Sequence, residues 1–378
     1  MNTYVHGIGM TEFGNLGGRT MKDILLDASY SALEDAGNPK VDAVFVGNFM
    51  GGSVYNQEIL GAIVANDLGL GYIPTAKVEG ACASGGIAVR QGILGILSGE
   101  YDTVLVSGVE KMKHVSTIEV TQAINSAMDN DSNEKHAGLT FPGFFGVLAN
   151  RYIHETGATK KHLARVALKN RENAVNNPFA QFKKPTSIEE IMNARMITEP
   201  LGLFDCSPIT DGAAAIVISR EKSNIMFRAS SQASGPTQMQ KVEDLVSIPA
   251  VKESGCIAYE KAGLGPKDID VVEVHDCFSM TEIVSSEELG FFNKREGYKA
   301  VEEGKTKPNG EIPINTSGGL LSKGHPIGAT GISQLHQIVS QLRGSAPNQV
   351  DEARIGLAQN LGGTGSYSTV HILERLGE

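Results

Sequence analysis

A cysteine set among small residues is the first group in this chain with the chemistry of a nucleophile. Cys82 lies within Gly80–Gly86, where a predicted strand becomes a helix. Free backbone N–H groups and the positive end of a helix dipole favour a thiolate there and can stabilise an oxyanion. The pattern predicts a reactive thiol, although a buried structural cysteine also fits such surroundings.

Two further motifs supply groups that move protons. His325 lies between Gly324 and Pro326 in a glycine-containing turn, where an imidazole can accept the proton of a thiol. His275 and Cys277 directly follow a predicted strand, and the carboxyl ends of parallel strands are where active sites form. The alternatives are a turn or capping histidine at 325 and a packed thiol at 277.

The elements that would position these motifs occur twice. A helix that stops at glycine and is followed by a short apolar strand is predicted near residues 32–46 and again near residues 258–274. A strand, a small-residue turn, a helix and another strand then follow in each half. This alternation predicts parallel-rich sheets covered on both faces. The polar segment 111–195 interrupts the repeat and is predicted to lie over the site, unless it is an ordinary surface insertion.

The bulk composition excludes several classes of function. A net charge of −10 argues against a nucleic-acid partner. The first residues lack the pattern of a secretory signal, and the apolar runs are too short to span a membrane. The 4 cysteines are widely spaced without a CxxC pair, which argues against zinc or a disulfide framework and favours free thiols in the cytoplasm.

Three blocks in this order resemble the thiolase family over nearly the whole chain: Val78–Gly85, Gly324–Gly331 and Asn360–Gly365. Two departures indicate the branch. His275–Phe278 replaces the usual Asn-Glu-Ala-Phe motif, and Gln359–Asn360 stands where most thiolases place their second cysteine. Both are similar to sterol-carrier-protein-2-type thiolases and archaeal acetoacetyl-CoA thiolases.

The resemblance implies a role for each site residue. Cys82 would carry the acyl group after His325 removes its proton, and Cys277 would be the second acid/base. His275 would contribute to one oxyanion hole with His325, and the backbone N–H groups of Cys82 and Gly363 would form the other. Asn360 has no assigned role, because the glycine block can be aligned in more than one way.

The fold implied is α/β: two similar βαβαβαββ domains packed in five layers (α-β-α-β-α), with an inserted loop domain covering coenzyme A. Residues 1–115 plus 196–225 would form the N-terminal domain, residues 116–195 the loop domain and residues 226–378 the C-terminal domain. The activity implied is that of a cytoplasmic acetyl-CoA C-acetyltransferase of lipid metabolism, placed in the mevalonate pathway. It would use coenzyme A thioesters and need neither cofactor nor metal.

The partners implied are a second copy or three further copies of the chain, and HMG-CoA synthase joined through an OB-fold bridging protein. Four other functions stay open from the sequence. They are a degradative thiolase for longer or sterol-derived 3-ketoacyl chains, an acyltransferase with a non-CoA acceptor, a thiolase-like aldolase, and a non-catalytic subunit that presents acyl-CoA to a partner enzyme.

Overall fold

The computed structural model describes residues 2–377 and confirms the α/β class. Its strands are β1 (Thr3–Met10), β2 (Ala43–Gly47), β3 (Thr75–Val78), β4 (Thr103–Glu110), β5 (Met196–Thr198), β6 (Leu201–Gly202), β7 (Gly212–Ser219), β8 (Ile225–Ser234), β9 (Val271–Glu273), β10 (Ile355–Gly362) and β11 (Tyr367–Arg375). Its helices are α1 (Met21–Asp35), α2 (Gly51–Val54), α3 (Leu60–Asp67), α4 (Ser84–Leu97), α5 (Thr117–Ile124), α6 (Asn133–His136), α7 (Phe141–Glu155), α8 (Lys160–Ala174), α9 (Ile188–Met192), α10 (Pro249–Ala262), α11 (Ser279–Glu288), α12 (Gly297–Glu302), α13 (Gly319–Ser322) and α14 (Thr330–Arg343). Within this range no helix is both long and apolar enough to cross a membrane.

The main sheet shows the predicted repeat. Its nine strands run in the order β3-β2-β4-β7-β1-β8-β11-β10-β9, so the two halves mirror each other about the β1–β8 contact. In each half the middle pairings are antiparallel and the outer pairings are parallel. Ile314 forms a parallel bridge to Val272 of β9, in the position that β3 occupies beside β2 in the first half.

The expectation of parallel-rich sheets is wrong for the centre of each half. The strand β10 turns directly into β11 through a tight hairpin at Gly363–Gly365, which requires antiparallel pairing. The strand β7 likewise runs antiparallel to β4 when the chain returns from its long excursion. That excursion, residues 111–195, contains α5 to α9.

Both faces of the sheet are buried, as the sequence predicted. Alternate residues of β7 face opposite sides, since Ala215 packs with α1 and α3 whereas Ile216 packs with α4 and α14. The cluster around α4 and α14 draws apolar side chains from both halves of the sheet. A third cluster joins the outer face of the second half to α10, α11 and the excursion helices. The layers are therefore α1 with α3, the first half of the sheet, α4 with α14, the second half of the sheet, and α10 with α11. This is the five-layer α-β-α-β-α packing.

The predicted glycine stops are present at the ends of both corresponding helices. The residue Gly37 follows α1 with φ +76°, and Gly263 follows α10 with φ +67°. Both are left-handed conformations that glycine adopts without a steric penalty. The repeat is therefore visible in local backbone geometry as well as in strand order.

The first turns of α4 and α14 meet with almost no side chain between them. A Cβ added at Gly85 would lie 2.8 Å from the carbonyl oxygen of Gly328, and one added at Gly331 would lie 2.4 Å from the amide nitrogen of Gly86. The strand β4 is equally close, since a Cβ at Gly108 would lie 2.4 Å from the same Gly328 oxygen. Glycine is required here because backbone packs directly on backbone. The close approach brings the turns before the two helices together.

Substitution of Gly108 by Ala should destabilise the protein strongly, because its methyl group would meet the Gly328 backbone, which cannot rotate away. Overpacking of this kind costs roughly 1–3 kcal/mol or more. The midpoint of thermal unfolding measures the loss. Gly18→Ala is the matched control, since nothing lies within 4 Å of its added Cβ. Equal midpoints in the two variants would contradict the close packing.

Candidate active site

Cys82 is placed by a turn immediately before α4. The turn spans Ala81–Ala83, and Ala81 adopts φ +50°, an unusual conformation for a residue with a side chain. Cys82 is 7% exposed. It belongs to an apolar cluster whose other buried members are Met50, Met112, Val120 and Ile327.

The environment of Cys82 corrects one expectation from its sequence. Burial, with a smaller contribution from the buried carboxylate of Glu110, raises the pKa of the thiol to about 12, although N–H groups of Gly363 and of Cys82 itself oppose the shift. Burial therefore outweighs the helix dipole. The resting group is a neutral thiol, so nucleophilic attack requires a base.

His325 has the geometry of that base. Burial lowers its pKa to about 3, so the ring is neutral at working pH. Its Nδ1 lies 2.7 Å from the Thr330 hydroxyl, which donates its own hydrogen to the carbonyl of Pro326 at 2.9 Å. The hydroxyl oxygen must then accept from Nδ1–H, which leaves the Nε2 lone pair free.

The second histidine completes a compact group. The Cys82 sulfur and one ring nitrogen from each of His275 and His325 all lie within 4.8 Å of one another. The two rings meet edge to face, with centroids 5.0 Å apart. Burial lowers the pKa of His275 well below its usual value, and His325 adds to the effect. Three predicted residues, which are up to 243 positions apart in the chain (325 minus 82), therefore converge.

Cys277 lies beside this group and is also buried. Burial raises the pKa of its thiol well above the ordinary value, and the nearby Cys82 thiol contributes to the shift. Its sulfur is 3.9 Å from the Thr281 hydroxyl. The next residue, Phe278, stacks on Phe145 of α7 with centroids 4.7 Å apart. A helix of the excursion thus packs against the motif that carries Cys277.

The glycine block contributes two groups to the site. The side-chain Nδ2 of Asn360 lies 3.0 Å from the Cys82 carbonyl oxygen and 3.0 Å from Nδ1 of His275, while its Oδ1 accepts from Gly86 N–H at 3.3 Å. Gly363, at φ +61° in the hairpin turn, directs its N–H toward the Cys82 thiol. Asn360, which the sequence left without a role, is therefore in direct contact with two site residues.

Sequence reasoning missed Glu110, the last residue of β4. Its buried carboxylate accepts hydrogen bonds from the N–H groups of Phe49, Met50 and Gly328. Burial raises its pKa to about 7. It joins the loop after β2 to the turn that carries His325. A single Glu at the end of a strand has no sequence pattern that predicts a role in a site. Thr330 lies within the Gly324–Gly331 block, but nothing in that block predicts its contact with His325.

A buried charged network supports the second motif from behind. Asp276 accepts from the N–H groups of Leu320 and Leu321 and from Asn170 of α8. Asn170 also donates to Glu282. The excursion is thereby hydrogen-bonded to the residue between His275 and Cys277. The other two thiols lie apart from the three-residue group: Cys206 is half-buried and Cys256 is exposed.

Comparison with known families agrees with this geometry. The family described as "Thiolase, N-terminal domain" matches residues 3–222, and "Thiolase C-terminal domain-like" matches residues 231–375. The chain belongs to the thiolase family. The thiolase resemblance inferred from its three motifs is confirmed.

Relatives of this thiolase come from both groups that the motifs indicated. It is 44% identical to an acetyl-CoA acetyltransferase of Methanothermobacter thermautotrophicus, over 98% of this chain and 99% of that one. It is 35% identical to sterol carrier protein 2 of Oryctolagus cuniculus, over 95% of this chain and 69% of that one. Among solved structures it is similar to the Ltp2-ChsH2(DUF35) aldolase, with TM-score 0.85, 27% identity and coverage of 99% and 98%.

Alkylation of Cys82 by iodoacetamide should be nearly independent of pH between about 8 and 10, above the pKa of about 7 of the neighbouring Glu110 carboxyl and below that of the thiol. A thiol with a pKa of about 12, acting alone, would react about tenfold faster per pH unit, because only the thiolate is nucleophilic. When Cys82 passes its proton to His325, the pair as a whole neither gains nor loses a proton. The fraction of thiolate formed in this way therefore does not change with pH between the His325 pKa of about 3 and the Cys82 pKa of about 12.

His325→Ala should slow the alkylation of Cys82 and restore the steep rise with pH. The rate is followed by mass spectrometry of the Cys82 peptide. The exposed residue His154 provides the control, since His154→Ala should retain the flat profile. A flat, fast profile in His325→Ala would contradict the role of His325 as the base.

Proposed function

We propose that this thiolase is an acetyl-CoA C-acetyltransferase, which condenses two acetyl-CoA molecules into acetoacetyl-CoA or runs the reverse thiolysis. The observation that carries the proposal is the buried group of one thiol and two imidazoles within 4.8 Å. The archaeal relative named acetyl-CoA acetyltransferase, 44% identical along nearly the full length, supports the choice of substrate.

In the first half-reaction His325 Nε2 takes the proton of the Cys82 thiol, and the sulfur attacks the thioester carbonyl carbon of acetyl-CoA. The carbon–sulfur bond to coenzyme A then breaks. Cys277, a neutral thiol because burial raises its pKa, gives its proton to the departing thiolate. The products are acetyl-Cys82, a protonated His325, a Cys277 thiolate and free coenzyme A.

In the second half-reaction the Cys277 thiolate removes an α-proton from a second acetyl-CoA. The resulting enolate attacks the acetyl carbonyl on Cys82 and forms the new carbon–carbon bond. Cys82 leaves as a thiolate and recovers its proton from His325. The cycle therefore balances with three groups and needs no redox cofactor or metal.

Two sets of donors support the charges that develop. The N–H groups of Cys82 and Gly363, which already point at the sulfur, form the oxyanion hole for the acyl-cysteine. His275, with protonated His325, forms the hole for the thioester of the incoming acetyl-CoA. Preorganised donors of this kind are each worth roughly 10²–10³-fold in rate.

We assign residues 116–195 to a domain that covers coenzyme A, between an N-terminal domain (1–115 plus 196–225) and a C-terminal domain (226–378). Support comes from the contacts of this segment with the site: Val120 packs in the cluster of Cys82, and Phe145 stacks on Phe278. Closure of this segment over the thioester would exclude water from the acyl-enzyme.

The cellular setting is part of the same proposal. The four free thiols suit the reducing cytoplasm, and the condensation suits an early step of the mevalonate pathway. We propose a homodimer or homotetramer, because β3 is an edge strand and its sheet edge can pair with a second copy. A bridging protein that connects the chain to HMG-CoA synthase fits the DUF35 partner named with the aldolase neighbour.

The similarity to a solved aldolase structure raises a second candidate reaction, which is cleavage of a carbon–carbon bond without an acyl-enzyme. Such a reaction needs no acyl-carrying thiol, so the buried pair of Cys82 and His325 favours acyl transfer. Thiolysis of acetoacetyl-CoA, measured beside longer 3-ketoacyl-CoAs, tests the choice of substrate. Faster turnover of the longer chains would assign the enzyme to degradation instead.

Incubation with acetyl-CoA should add one acetyl group to Cys82 and abolish its alkylation. Cys82→Ala should lose both acetylation and thiolysis, since no other described thiol has an imidazole partner of this kind. Intact-mass and peptide mass spectrometry locate the label. Cys256→Ala, at an exposed position, is the control and should behave as the wild type. A label on Cys206 would refute the assignment of the nucleophile.

Cys277→Ala should still become acetylated on Cys82 but should fail to form the carbon–carbon bond. Exchange of solvent deuterium into the methyl group of acetyl-CoA isolates proton abstraction, and the variant should lose this exchange. A thermal melt, run in parallel, separates loss of a proton carrier from loss of packing. Normal exchange in the variant would place the base elsewhere, with His275 as the next residue to test.

A further inference from the structure

Burial lowers the pKa of both active-site histidines, so in the resting site each ring carries a single N–H on one of its two nitrogens. Which nitrogen carries it decides what the ring can do, because one tautomer donates at Nε2 and the other accepts there. Thr330 fixes His325 as an acceptor at Nε2. An oxyanion-hole role for His275 requires the opposite tautomer.

The amide of Asn360 contacts His275 at the nitrogen that decides this. Two backbone groups fix the orientation of the amide: its Nδ2 faces the Cys82 carbonyl oxygen at 3.0 Å, and its Oδ1 faces the Gly86 N–H at 3.3 Å. Rotating the amide by 180° would oppose oxygen to oxygen and N–H to N–H. The group directed at His275 Nδ1 is therefore a donor, 3.0 Å away.

We infer that Asn360 is a positioning residue that holds His275 in the Nε2–H tautomer. The inference rests on the proposed function only for what that N–H stabilises, the thioester oxyanion. Both side chains are buried, since Asn360 and His275 are each 1% exposed, and the amide oxygen of Asn360 occupies the space that a Cβ at Gly331 would need, 2.3 Å away. The turn that carries Cys82 and the ring of His275 are thus joined through the side chain of Asn360.

The same tautomer has a second consequence. One thiol and two imidazoles within 4.8 Å have the composition of a site for a soft divalent cation such as Zn²⁺. A metal can bind His275 at Nε2 only when that nitrogen is unprotonated and Nδ1 carries the hydrogen. The Asn360 donor excludes that form, so it keeps Cys82 available for substrate.

Nitrogen-15 NMR of histidine-labelled protein tests the tautomer directly and needs no substrate. The His275 signals are assigned by their loss in His275→Asn. The wild type should show protonated Nε2 and unprotonated Nδ1. A wild-type spectrum with Nδ1–H on His275 would overturn the inference, whether or not the enzyme turns over acetyl-CoA.

Asn360→Asp should reverse the tautomer, because a carboxylate accepts from Nδ1–H. Zinc chloride is the probe, with affinity measured by competition against a chromophoric chelator. The variant should bind one Zn²⁺ per chain at least tenfold more tightly than the wild type, and adding His325→Ala should remove the gain. Equal zinc affinity in Asn360→Asp and the wild type would count against the inference.

Asn348→Asp is the matched control, since Asn348 also donates to two backbone carbonyls but does not contact the histidines. It should leave zinc affinity and the His275 tautomer unchanged. If Asn360→Asp fails to fold, Asn360→Ala replaces it, and His275 should then populate both tautomers. A single Nε2–H tautomer in Asn360→Ala would show that the amide does not set it.

The kinetic effect separates positioning from stability. Asn360→Asp should lower the kcat of thiolysis by roughly 10²–10³-fold, the cost of one lost oxyanion donor, with a smaller change in KM. The same substitution made in His275→Asn should lower kcat much less, because an asparagine donor has no tautomer to reverse. Equal losses in both backgrounds would contradict the inference.

Discussion

Direct contact between the backbones at the start of α4 and α14 is the constraint on which the site depends. A methyl group at Gly85 or Gly331 would collide with main-chain atoms of the opposing turn. Because the turns cannot separate, the residues that precede each helix are held at fixed distance. The thiol of Cys82 and the ring of His325 are thus positioned by main-chain packing. Thr330 fixes the tautomer of His325, while Asn360 and Glu110 hydrogen-bond to the backbone of the two turns.

Burial determines how this site can work. Removal of water raises the pKa of both thiols and lowers that of both histidines, so the resting groups are uncharged. Charge appears only while a proton moves between neighbours, at the moment when fixed N–H groups are present to stabilise it. A more open site would favour a permanent thiolate, but it would also admit water to the acyl-enzyme.

The sequence predicted the repeat, the glycine stops and the residues that meet, because each leaves a local pattern. The strands β1 and β8 at the centre of the sheet were not predicted. In β8 the buried Ser230 and Ser231 interrupt the apolar pattern that would mark a strand. Ser231 can be buried because its hydroxyl hydrogen-bonds to the carbonyls of Ser254 and Val370, which are remote in the chain and give no local signal. The Cys82 pKa was misjudged for a related reason. A helix start is visible in the sequence, whereas the depth of burial depends on elements from the whole chain.

The correspondence of the two halves has a consequence for how such an enzyme can originate. The turn before α4 carries Cys82 and the equivalent turn before α14 carries His325, so a chain with one unit would hold only one of the two turns. In a symmetric pair of identical units, the two equivalent turns would carry the same side chain, either two cysteines or two histidines. Fusion into one polypeptide removes that restriction, since each copy can then diverge. The division of labour between thiol and imidazole is what gene duplication makes possible and what symmetric self-association forbids.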